Sequence, residues 1–171
     1  MQIKIEGAEQ LRSLSRDLKR QGEYGQGLRK KLRRNIQIAA EPMKADVKAA
    51  ALAIPSKGQS SGLQNRAGLR NTLAKAVKLS IRTVGKNVSV RLVSSAAVME
   101  KAGYYASLSA YMEGVAGRPW RHRIFGEWVT GQGDQEAHPY FYDTANKHLP
   151  EVQAAIQAAL DETALAIERR I

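Results

Sequence analysis

At 171 residues and 43% apolar content the chain can bury one sizeable core, while its 6% aromatic content and its many alanines point to helices packed through small side chains. It holds no cysteine, which excludes disulfides and thiolate metal sites, and no run of about 20 apolar residues such as a membrane span requires. The net charge of +11 is uneven, with 20 Lys/Arg against 6 Asp/Glu in residues 1–91 and 7 against 10 in residues 92–171, a polarity that suits a polyanion, an acidic partner or contact between copies of the chain.

The start, Met1–Glu6, lacks the basic-then-apolar layout of a signal peptide, so the expectation is a protein made in the cytoplasm and not secreted. Ile3 and Ile5 alternate with polar neighbours over a stretch long enough only for an edge strand. Ala8, Leu11, Leu14 and Leu18 follow helical spacing, and that helix should fade near Gln21-Gly22, with Gly22, Gly25 and Gly27 as a flexible joint. A longer helix reads from about Leu28 to Ile54 on the stripe Leu28, Leu32, Ile36, Ala39, Met43, Val47, Ala50 and Ile54. Pro42 lies inside it and predicts a kink or break. Its first turns carry Arg29, Lys30, Lys31, Arg33 and Arg34, which read either as a solvated face or as a patch that meets an acidic partner or a polyanion.

Pro55–Arg66 is polar and rich in Gly and Ser. Its Gly58-Gln-Ser-Ser-Gly62 matches the written pattern of a hydrolase nucleophile elbow, but a helix precedes it where that chemistry needs a strand, so Ser60 reads as a chance match. After a short helix marked by Leu69, Leu73 and Ala76 comes the clearest β signal. Val77, Leu79, Ile81 and then Val88, Val90, Leu92 alternate with polar residues about Gly85-Lys86-Asn87, a hairpin with one apolar and one cationic face. Short helices follow around Ala96–Ala102 and Leu108–Glu113. Gly126–Ala137 is loop-like and carries three acids. A final helix runs from Phe141 on the stripe Ala145, Leu149, Val152, Ile156, Leu160, Thr163, Ile167 and Ile171, with Pro139 in its first turn and a bend expected at Pro150.

These elements predict one α+β domain: a small antiparallel sheet built on the 77–93 hairpin and packed against the long N-terminal and C-terminal helices. Its parts are 1–54 (strand and basic helices), 55–76 (polar loop and short helix), the hairpin, 94–138 (helices and aromatic loop) and 139–171 (terminal helix). The three histidines lack metal-ligand spacing, and the acidic residues fall on surface faces and loops without forming a catalytic pair. No metal, cofactor or enzymatic activity is expected.

Nine of the ten aromatic residues lie between Tyr104 and Tyr142, in two motifs. The first, Arg118-Pro-Trp-Arg-His-Arg-Ile-Phe-Gly126, sets Arg118, Arg121 and Arg123 among Trp120, Phe125 and, just beyond, Trp128. Tryptophan and arginine dominate the energetic centres of protein interfaces, so these six residues are a candidate subunit contact; burial in the chain's own core and stacking on nucleic-acid bases are the other readings. The second motif, His138-Pro-Tyr-Phe-Tyr142, runs into the final helix.

The order helix, basic helix, polar loop, hairpin, Gly-Arg-Pro-Trp-Arg-His-x-x-Phe-Gly run and His-Pro-Tyr-Phe lead into an amphipathic helix resembles the tail-completion and tail-terminator group of head–tail connection proteins in long-tailed bacteriophages and prophages, akin to minor tail protein Z. The resemblance spans nearly the whole chain in layout and is sharpest at Arg118–Gly126 and Pro139–Phe141. It implies a non-enzymatic virion subunit at the head–tail junction, forming a ring, often a hexamer, that caps the tail tube and docks to a head-closure or stopper protein while double-stranded DNA passes through the hole. The alternative class is a basic nucleic-acid-binding module.

Overall fold

The computed structural model describes residues 1–5, 8–55, 68–83, 89–115, 120–121, 134–135 and 137–169. Strand β1 (Gln2–Ile5) leads to helices α1 (Ala8–Arg20), α2 (Gly22–Ala53) and α3 (Gly68–Ala76), then to strands β2 (Val77–Arg82) and β3 (Ser89–Ser94). Helices α4 (Ala96–Lys101) and α5 (Leu108–Met112), the short strands β4 (Trp120–Arg121) and β5 (Asp134–Gln135) and helix α6 (Tyr142–Glu168) complete the order. The architecture is α+β, as the alternation patterns predict.

The sheet order is β1-β3-β2, antiparallel throughout. Register sets Ile3 beside Leu92 and Leu92 beside Leu79, so apolar residues of all three strands share one face, with Val93 of β3 on the other. Two strands alone are marginal in water. The long helices cover the apolar face, α2 packing on β2 and α6 on β1, and α2 packs along α6. Leu32, Ile36, Met43 and Val47 from α2 meet Ala145, Val152, Ile156 and Leu160 from α6 in one core, with Leu11, Leu14 and Leu18 of α1 beside them. Burying each larger aliphatic side chain contributes about 1.5–3 kcal/mol, which makes this helix pair the main source of stability.

Several expectations change in the folded chain. The glycine-rich stretch at 22–27 is not a flexible joint: α2 begins at Gly22 and runs 32 residues through Gly25 and Gly27. Gly25 serves close packing instead, since a Cβ there would lie 1.9 Å from the carbonyl oxygen of Leu18 where α1 ends against α2. Pro42 neither ends nor interrupts α2, and Pro150 does not interrupt α6. Both prolines are on solvent-exposed positions, where water can take the carbonyl whose partner N–H is missing. Pro139 precedes α6 and is not in its first turn. On α2 the buried alanines are Ala40 and Ala51, with Ala39 and Ala50 only half-buried, because a 3.6-residue helix drifts across any stripe read in steps of three and four. The turn of the hairpin, most of Pro55–Arg66 with Ser60, and His122 lie outside the described residues.

Candidate functional site

The second aromatic motif forms a tight buried structure. Helix α5 ends in a left-handed cap: Gly114 adopts φ +79°, its N–H donates to the Tyr111 carbonyl, and the Val115 N–H reaches back to the Ala110 carbonyl. That turn fixes the direction of Glu113, which is only 7% exposed. Its Oε2 accepts the backbone N–H groups of Tyr140 and Phe141, both at 2.9 Å, and its Oε1 accepts that of Tyr142 at 2.8 Å. The last two are the N–H groups of the cap position and first residue of α6, left without partners by helix geometry, and that of Tyr140 comes just before them. The carboxylate also sits at the positive end of the helix dipole. A second tie brings the two segments together, since the His138 N–H donates to the Met112 carbonyl at 2.7 Å.

Sequence reasoning placed all the acids on surfaces and so missed Glu113. A signal was present. The final helix starts Pro139-Tyr-Phe-Tyr-Asp, with Phe141 where a Ser, Thr, Asp or Asn cap normally stands, so its cap had to come from elsewhere.

Tyr140 and Phe141 are 1% and 0% exposed and meet edge to face at 6.3 Å, so this motif belongs to the core. The Tyr140 hydroxyl lies near those of Ser94 and Ser109 but reaches hydrogen-bond geometry with neither, and Ser94 Oγ is likewise buried without a partner. Burial pushes the Tyr140 phenol up to about 12; the two serine hydroxyls act in the opposite direction, and the Glu113 carboxylate adds to the rise.

Of the six residues of the candidate subunit contact, Trp120 and Arg121 fall within the described residues, as strand β4 paired with β5 in the register Trp120–Gln135 and Arg121–Asp134. Arg118, Arg123, Phe125 and Trp128 lie outside them. The basic run of α2 does not stay together. Lys31 Nζ reaches Glu162 Oε1 on α6 at 2.7 Å, and that bond raises the lysine's pKa. Arg29 is half-buried with a partnerless Nε. Lys30 and Arg34 are exposed, and Arg33 turns to the other side of α2.

There Arg33 joins residues far away in sequence. A groove of about 440 Å³ runs between α2, α3 and the outer edge of β2, lined by Arg33, Lys44, Lys48, Lys75 and Lys78, with Glu41 as the one carboxylate among the described residues that line it. Val77, Leu79 and Ile81 form its apolar side. Lys44 already engages Glu41 at 2.6 Å, so the groove keeps a clear positive excess. A shallower groove between α1 and α6 carries Asp17 and Asp161. The exposed side of α6 holds Asp143, Glu151, Asp161, Glu162 and Glu168 against Lys147, with Glu162 taken up by Lys31, so the groove and the outer side of α6 carry opposite charge on different elements.

Among the described residues no three His, Asp or Glu side chains converge on a metal position, and no helix is long and apolar enough to cross a membrane. His148 Nε2 lies 2.7 Å from Asp46 Oδ2, tying α6 to α2. Comparison with protein-family models, curated proteins and solved structures finds no match to this chain.

Proposed function

We propose that this chain is a structural subunit that assembles with its own copies into a ring at the head–tail junction of a long-tailed phage, closing the tail tube and joining it to the head. The observation that carries the reading is the separation of charge: a five-cation groove beside β2 on one flank, and the carboxylate-rich outer side of α6 on another element. Unlike patches that complement each other make heterologous contacts, and heterologous contacts form rings where the rotation between neighbours closes. The Arg118–Gly126 and Pro139–Phe141 motifs, through their resemblance to the tail-completion and terminator group, supply the particle and the position within it.

Sedimentation velocity with electron microscopy of the purified chain tests this, alone and mixed with tail-tube protein. The expected result is one discrete closed oligomer with a central hole, or closed rings at tube ends. A chain that stays single at all concentrations and ignores tube ends overturns it.

The same groove favours a second reading, a nucleic-acid-binding module. It predicts duplex binding whose log affinity falls linearly with log salt, because phosphate contacts release counterions.

A further inference from the structure

The groove beside β2 is a place where a strand is missing. The Ser95 N–H donates to the Ala76 carbonyl at 2.8 Å, which makes Ala76 and Ser95 a hydrogen-bonded pair. Antiparallel ladders alternate, so Lys78, Ser80 and Arg82 direct their backbone groups to β3, while those of Leu79 and Ile81 point away from it. Nothing among the described residues pairs with that edge. Above it, α2 presents Arg33, Gln37, Glu41, Lys44 and Lys48, so a roof already extends past the last strand.

An alternating row of peptide donors and acceptors matches the edge of another strand. Phosphates offer acceptors only, and an apolar row such as Val77, Leu79 and Ile81 gives them nothing. Lysines along an edge discourage indiscriminate pairing, and they also select for an acidic strand.

Such a strand exists in the chain itself. From Ile124 to Asn146 there is no lysine or arginine, and Gly126–Ala137 carries Glu127, Asp134 and Glu136 with the β-favouring run Trp128-Val129-Thr130. Strand β5 lies in this stretch; among the described residues it pairs with β4 alone, over two residues, and its other edge has no partner. Ladders that short are marginal unless extended.

We infer that the edge of β2 left unpaired among the described residues pairs with the outer edge of β5 from a second copy, laying that copy's acidic stretch along the cationic groove. The inference rests on the ring reading and names the contact that joins neighbours.

The test uses the full chain and a fluorescent synthetic peptide of residues 126–137. Binding by anisotropy should saturate and should weaken roughly tenfold when exposed Lys75 and Lys78 become Glu together, since two surface attractions are turned into repulsions. Methylating alternate peptide nitrogens removes strand donors but leaves the charges in place. One register of methylation should abolish binding and the other should preserve it. Equal binding in both registers, indifference to the charge reversals, or displacement by a short DNA duplex at equal or lower concentration overturns the inference. The two readings fail differently: a ring that forms but neither binds the peptide nor is dissociated by it refutes the strand contact alone. A chain that binds the peptide yet never assembles refutes the ring.

Discussion

Replacing Glu113 with Gln isolates the carboxylate that caps α6. The side-chain volume is kept, but only one amide oxygen can accept. In the better orientation it stands in for Oε2 and keeps the bonds to Tyr140 and Phe141, and the amide nitrogen then faces the Tyr142 N–H, donor against donor. The lost charge-assisted bond costs about 1.5–3 kcal/mol, and the lost charge at the helix N-terminus about 0.5–2 kcal/mol. Roughly 3 kcal/mol in total lowers the unfolding temperature of a chain this size by about 6–12 °C. Circular dichroism at 222 nm during heating and in urea reads the global effect. Amide exchange adds a local one: Tyr140, Phe141 and Tyr142 should lose protection before the middle of α6 does. A change below about 1 kcal/mol, with those amides still protected, would mean that the three hydrogen bonds do not hold the helix start, and the reasoning would fail.

Two further substitutions probe the packing and the buried phenol. Gly25→Ala places a methyl group 1.9 Å from the Leu18 carbonyl oxygen and must push α1 from α2, costing about 1–3 kcal/mol in urea unfolding; an unchanged midpoint would show that the crossing is loose. Tyr140 titrates near 12 when folded against 10 when unfolded, so its contribution to stability is complete below pH 10 and fades between pH 10 and 12, at up to about 1.4 kcal/mol per pH unit. Tyr140→Phe should flatten that alkaline decline and cost little at neutral pH, because the hydroxyl has no hydrogen-bond partner to lose. An identical decline in the variant, followed by fluorescence from pH 9 to pH 12, would move the titration to another group.

The helices and the hairpin were legible because burial on one side leaves a periodic trace. Of the stripe read on the final helix, Ala145, Val152, Ile156, Leu160, Thr163 and Ile167 are buried and Leu149 is half-buried, while Ile171 lies outside the described residues. Alternation on either side of residues 85–87 gave β2 and β3, and Ile3 and Ile5 gave β1. Gly25 misled because composition alone cannot distinguish a residue needed for freedom from one needed for lack of bulk. A break at Pro42 does not occur because the cost of a proline depends on which side of the helix loses its hydrogen bond, and that side is known only once the core is placed.

What the sequence determined by itself is the set of elements, their apolar faces and the charge imbalance between halves, since each follows from spacing or counting along the chain. The tertiary structure alone decided that Glu113 crosses 27 positions to close the start of α6, and that Arg33, Lys44, Lys48, Lys75 and Lys78 share one groove beside an unpaired strand edge. Both depend on distances between residues remote in sequence. Those distances are set by how α2 and α6 seat on the sheet, not by any local pattern.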